Sequence, residues 1–251
     1  MKKIVYIITI LSLITGACSK ESPAPRTKDE TFSQMQQSIK AIASLSSESE
    51  NKTTVIYNKF TTQFTQKTNS QTNTADQFNL RVKAASNNMH YPVKSYKADL
   101  KNGVLQADPK PDYITYQARH ADTKYIESTI ADIFNLKHLL QDVIKPEADH
   151  MTVNKDSMHY EGHGAVMTAL FEYGLASSSL NQVESLADIQ DLKVKSGSYT
   201  VDYSPVNVYP KTLTFDVEMT GTIDEEPVHI HMKQTTNYYD FNKTKVKDLI
   251  K

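Results

Sequence analysis

Leu213-Thr214-Phe215-Asp216-Val217-Glu218-Met219 and Val228-His229-Ile230-His231-Met232 are two runs in which apolar and polar residues strictly alternate. A period of two sends successive side chains to opposite faces of a strand, so each run reads as a strand with one dry and one wet face. Folding the chain about Asp224 and Glu225 sets Met219 opposite Ile230 and Val217 opposite Met232 on the dry side. The same register sets Glu218 opposite His231 and Asp216 opposite Lys233 on the wet side. An antiparallel hairpin of a one-side-buried sheet satisfies both faces at once.

Working outward, the segments on either side of this hairpin have the same character. Leu192 to Ser196 and Tyr199 to Tyr203 read as strands about a turn at Gly197, and a short hairpin is expected around Asn154 and Asp156. In the first half, Ile56, Phe60 and Phe64 read as one strand face, and Phe78, Leu80, Val82 and Ala84 alternate with polar neighbours. The polar stretch Gln66 to Thr74 between them reads as a loop or hairpin tip. Further strands are expected over Tyr91 to Leu100, over Val104 to Ala107 after the Asn102-Gly103 turn, and over Tyr113 to Arg119.

Helical periods frame these strands. Thr27-Lys28-Asp29-Glu30 has capping-box spacing, and Phe32, Met35, Ile39 and Ile42 follow on one stripe, predicting a helix that ends near Ser46. Asp122 caps a second, carrying Ile126, Ile130, Phe134 and Ile144 and stopped by Pro146. Ala165 to Ser177, apolar nearly all round, reads as a buried third helix. The fold class is therefore α+β: a curved antiparallel sheet, a half-barrel, wrapping two or three helices.

The N-terminus carries an address. Lys2 and Lys3, the apolar run Ile4 to Ile14 and the small residues Thr15-Gly16-Ala17 precede Cys18, the one cysteine of the 251 residues. A lone thiol has no disulfide partner, and the apolar run is far short of the ~20 residues that span a bilayer. The segment resembles a bacterial lipoprotein signal with its lipobox, matched by Ile14-Thr15-Gly16-Ala17-Cys18, with Thr15 where leucine is more usual. The resemblance implies residues 1–17 as signal peptide and a diacylglycerol-type anchor on Cys18. It also implies residence at the cell membrane, facing outside the cytoplasm. Residues 18–28, with Pro23 and Pro25, read as lipidated cysteine and tether, reaching roughly 35 Å when extended. Residues 29–251 then form a single domain.

Composition narrows the function classes. Subtracting the two signal lysines from a formal charge of -1 leaves -3, with no basic tract, which argues against nucleic acid as a partner and against polybasic lipid binding. No Gly-x-Ser-x-Gly elbow or phosphate-cradling glycine run is present, so no catalytic residue, cofactor or enzyme activity is assigned. His229 and His231 share a strand face, a metal-ligand geometry if a third ligand arrived, but the register supplies solvated partners in Thr220 and Glu218. His150, His159 and His163 do not match the zinc-protease spacing, and Gly162 and Gly164 point to a turn, so no metal is assigned.

The order of elements over Thr31 to Asn242 resembles the lipoprotein-carrier fold of LolA, LolB and LppX. That resemblance implies an apolar ligand, a lipid or acyl chain, held between sheet and helices. The residues expected to face such a cavity are Phe60, Phe64, Phe78, Leu80, Val82, Ile114, Tyr116, Ile126, Ile130, Phe134 and Leu170. The alternative is a cell-surface interaction lipoprotein with a filled core, using its wet sheet face or the Gln66 to Thr74 loop to bind a protein.

Overall fold

A computed structural model describes residues 26–73, 77–101, 104–109, 150–163, 166–168, 170–171, 178–183 and 189–250. The signal peptide, Cys18, the strand expected over Tyr113 to Arg119, and the helix bearing Ile126, Ile130 and Phe134 lie outside the described residues, as do Ile114 and Tyr116.

Ten strands among the described residues form one antiparallel sheet. In chain order they are β1 (Ser44–Tyr57), β2 (Phe60–Asn73), β3 (Gln77–Ser86), β4 (Tyr96–Lys101), β5 (Val104–Asp108), β6 (Met151–Val153), β7 (Ser157–Gly162), β8 (Gln190–Tyr203), β9 (Pro210–Ile223) and β10 (Glu226–Tyr239). Their spatial order is β5-β4-β3-β2-β1-β10-β9-β8-β7-β6, so among the described residues β5 and β6 are the outermost strands of the sheet. The central hairpin has the expected register: Met219 pairs Ile230, Val217 pairs Met232, Glu218 pairs His231 and Asp216 pairs Lys233. Asp224 and Glu225 turn it with φ of 50° and 67°, the pair of positive values that matches a two-residue turn to the twist of its strands.

Helix α1 (Lys28–Lys40) starts as its sequence demands. The Thr27 side chain accepts from the Glu30 backbone N–H at 3.2 Å, and the Glu30 carboxylate accepts from the Thr27 N–H at 2.8 Å. That second bond, then the Thr27 side chain, holds the Glu30 carboxyl below its ordinary value. A depressed carboxyl adds stability that is complete above the ordinary carboxylate range and is lost as pH falls through the folded value. Thr27→Ala is expected to cost about 1 kcal/mol, read as a lower midpoint in urea unfolding, with a smaller difference from the parent in acid. An unchanged midpoint at neutral pH would show that the cap contributes nothing. The helix ends at Lys40 rather than near Ser46, because Ser44 to Glu50 pair with β2 and β10 and extend β1.

The stripe of Phe32, Met35 and Ile39 joins a core with Phe64, Leu213, Phe215, Val217, Met232 and the helical residues Val166, Met167, Leu170 and Phe171. A second, separate cluster holds Phe78, Leu80, Val82, Tyr96, Ala98 and Leu100. Between them the packed face of β1, β2 and β10 is polar. Buried Ser47, Asn51, Thr53, Gln66, Thr68, Ser70, Gln234 and Thr236 stand where alternation would put apolar side chains. Ser47 bonds to Ser70 at 2.7 Å and Asn51 to Gln234 at 2.9 Å across strands, while Thr53 bonds to Asn51, Gln66 to Thr68 and Gln234 to Thr236 along them, which offsets their desolvation.

This seam corrects one expectation. Gln66 to Asn73 is not a loop but most of β2, and its polarity on both faces is the reason that periodicity misses it. Ile56, Phe60 and Phe64 do not share a strand either, because Asn58 and Lys59, with φ of 48° and 66°, turn the chain between β1 and β2. Gly197 makes no turn: it lies inside β8, where a Cβ would stand 2.5 Å from the Met167 methyl. The glycine is there for close packing of the helical segment on the sheet. His159 and Gly162 are likewise in strand β7 rather than in a turn.

Candidate functional site

A concave, mostly apolar feature lies at the end of the sheet where β1 turns into β2. A cavity of about 490 Å³ is lined by Val55, Tyr57, Asn58, Phe60, Thr62, Asn88, His90 and Tyr91. Cross-strand pairing builds its floor, with Tyr57 opposite Phe60 and Val55 opposite Thr62, all four on the packed face of the sheet. The wall comes from the segment after β3. Asn88 donates to the Thr62 hydroxyl at 3.0 Å and accepts from the His90 N–H at 3.0 Å, while the Tyr91 N–H donates to the Asn88 carbonyl at 3.1 Å. Asn87 adds a two-way clasp to Gln63, at 3.1 and 2.8 Å, so the segment is pinned to β2.

The lining is aromatic and aliphatic with a few amide, hydroxyl and imidazole groups and no carboxylate. Its volume falls within the ~300–1,000 Å³ of ordinary small-molecule sites, and its chemistry suits an apolar body with a weakly polar end. Tyr57 and Tyr91 pack against the main core from their half-buried positions, which makes the cavity an extension of that core toward solvent.

Of the residues expected at an apolar site, the structure places Phe60 at the cavity rim, 73 % exposed. Phe64 is buried in the main core together with Leu170, and Phe78, Leu80 and Val82 are buried in the second cluster. The structure thus does not bring these side chains together in one hollow. Val55, Tyr57, Asn58, Thr62, Asn88, His90 and Tyr91 were missed. The sequence signal for them was the mixed polar and aromatic segment beside a strand end, which has no period of its own.

A second, polar cleft of about 290 Å³ is lined by Glu161, Gly162, His163, Lys195, Ser196, Gly197, Ser198, Asp216 and Glu218. Beside it, His231 Nε2 sits 2.6 Å from the Asp216 carboxylate, whose other oxygen is 3.6 Å from Lys233. His229 instead pairs with Thr220. Among the described residues no group of three or more His, Cys, Asp and Glu side chains is arranged to hold a metal ion, and no helix is long and apolar enough to cross a membrane.

No protein-family model and no curated protein matches this chain. Among solved structures it is similar to LprF from Mycobacterium bovis, with 7 % identity over 88 % of this chain and 96 % of that one, at a TM-score of 0.39. It is similar also to a LolA superfamily protein from Nitrosomonas europaea, with 8 % identity over 90 % and 96 % and a TM-score of 0.28. Lipovitellin, solved for its lipid–protein interactions, shares 9 % identity over 83 % of this chain at a TM-score of 0.35, and this chain spans only 26 % of its length. Likenesses this loose carry no weight for function, which has to be read from the chain's own geometry.

Proposed function

We propose that this chain is a lipid-anchored extracytoplasmic lipoprotein that binds or carries an apolar ligand, a lipid or acyl chain. The supporting observation is the cavity of about 490 Å³ between the β1–β2 turn and the segment after β3, lined by Val55, Tyr57, Phe60 and Tyr91. Apolar surface left unfilled at the open end of a sheet gains from any hydrocarbon that displaces water from it. The role proposed is binding, supported by a lining that is mainly aromatic and aliphatic. The lipobox-like Ile14 to Cys18 segment supports the anchor and the extracytoplasmic face of the membrane as its address.

Native mass spectrometry of delipidated, refolded protein mixed with phospholipid is the test. The parent is expected to retain one lipid, and Tyr91→Ala with Val55→Ser to lose most of it. A parent that retains none sinks the reading. That result would favour the second reading, a protein-interaction lipoprotein with a filled interior, which has its own support in the complete burial of Met167, Leu170, Phe171, Phe215 and Val217.

A further inference from the structure

The cavity deepens along β2 away from its turn. Phe60 is 73 % exposed at the rim, whereas Thr62, two residues on along the same face, is 3 % exposed and pairs with the equally buried Val55. Asn58 and His90 carry their polar groups in the open at the mouth, and of the polar side chains in the lining Thr62 alone is buried. The innermost polar group of the site is therefore a hydroxyl.

That hydroxyl is satisfied in one direction only. The Asn88 side-chain oxygen accepts from the His90 N–H at 3.0 Å, which fixes the amide with its nitrogen toward Thr62. Asn88 Nδ2 donates to the Thr62 Oγ1 at 3.0 Å, so Thr62 is the acceptor there, and its own proton meets no acceptor among the described residues. The Tyr57 hydroxyl is turned elsewhere, to the Ile223 carbonyl at 3.5 Å. A buried donor without an acceptor is costly, and an acceptor brought in by a ligand satisfies it.

Charge selects among acceptors. An ionised head leaves water only for a cation or several hydrogen bonds, and the buried floor offers one proton and no lysine or arginine. Outside the rim, the exposed Asp224-Glu225-Glu226 turn outnumbers Lys59, and it follows directly on the Ile223 carbonyl that Tyr57 reaches. An anion is thus disfavoured at the floor and at the mouth. We propose that the ligand is a neutral, carbonyl-headed lipid that enters carbonyl first, its oxygen accepting from the Thr62 O–H and its hydrocarbon body lying among Tyr57, Phe60 and Tyr91; this rests on the ligand-binding reading above. Burial of the hydrocarbon supplies the affinity, and the Thr62 bond sets which end goes in. A carbonyl on a chain and a carbonyl on a ring share this chemistry.

The test is equilibrium dialysis of the full chain carrying Cys18→Ser, so that no attached acyl group competes, with bound ligand extracted and measured by gas chromatography. Methyl heptyl ketone and acetophenone present the carbonyl on a chain and on a ring. Nonane and ethylbenzene are the same bodies without it, and nonanoate carries a charged head instead. The parent is expected to bind both ketones, and the tighter of the two tells chain from ring. Thr62→Val is expected to weaken each ketone about three- to tenfold, the loss of one buried hydrogen bond, and to leave each hydrocarbon within about twofold. Thr62→Ser keeps the hydroxyl and should bind the ketones as the parent does. Nonanoate is expected to bind about tenfold or more weakly than methyl heptyl ketone. Unchanged ketone affinity in Thr62→Val, equal losses of ketone and hydrocarbon, or nonanoate matching the ketone overturns the proposal. Hydrocarbon held by the parent in any of those cases leaves the cavity reading standing, whereas a parent that binds none of these ligands removes both.

Discussion

Phe215→Ala is expected to lower the stability of the protein by about 3–5 kcal/mol, the range of a large aromatic truncated in a core. Phe215 is fully buried on β9, between Gln234 of β10 and Tyr199 of β8. Tyr199 is itself stacked on Tyr160, ring centroids 5.3 Å apart. Backbone pairing on both sides of β9 holds those neighbours in place, so the void cannot collapse. The cost is then transfer plus cavity. Phe60→Ala removes the same side chain from a site 73 % exposed, and its effect should stay within about 0.5 kcal/mol. Urea unfolding of the two variants checks both values. Similar midpoints would mean that β9 is not the centre of the core.

Asp99→Ala is expected to free the C-terminal segment and loosen the β3–β5 end of the sheet. Ser46, Gln71, Asn79 and Asp99 are successive partners across β1 to β4 and so form one row on the outer face. The chain after β10 runs along this row. Asn242 accepts from the Ala43 N–H at 2.6 Å, Thr244 meets the Ser46 hydroxyl at 2.9 Å, and Asn79 donates to the Lys247 carbonyl at 2.5 Å. At the end, the amides of Leu249 and Ile250 both donate to one oxygen of Asp99 at 2.7 Å. This strap buries Asn79 and Asp99 on a face that would otherwise be wet.

Hydrogen bonds to a charged group contribute roughly 1.5–3 kcal/mol each, set against the desolvation of the carboxylate. The other Asp99 oxygen is buried and has no hydrogen-bond partner among the described residues, so part of the gain is already offset. A net loss of about 2 kcal/mol is expected for the alanine variant. Asp99→Asn keeps one acceptor for the two amides and should lose less. Native-state hydrogen exchange reads the effect directly, as lost protection at Leu249, Ile250 and through β4 and β5. Those strands are the place to look because the second apolar cluster that holds them is small and separate from the main core. Unaltered exchange at Leu249 and Ile250 would refute the strap.

The parts of the fold legible in the sequence were those set by neighbours in the chain. The Thr27–Glu30 cap and the pairing of β9 with β10 need only local hydrogen bonds, a two-residue turn and strict alternation. Polar Gln66, Thr68 and Ser70 broke that logic, because their burial is made tolerable only by hydrogen bonds within the folded sheet, Ser70 with Ser47 of β1 and Gln66 with Thr68 of its own strand. Gly197 broke it too, since a glycine that admits Met167 and a glycine that turns the chain look the same in one dimension.

Alternation determined which face each side chain takes, and thereby an antiparallel sheet with one packed face. Position along the strand, which alternation does not encode, was decided by tertiary structure. Phe60 and Phe64 point to the same side of β2, yet one is at an open rim and the other is sealed in the core. The physical reason is that burial depends on what lies above a strand face at each level. At the β1–β2 corner the segment Asn88 to Tyr91 stands beside the face instead of filling it, and a cavity results.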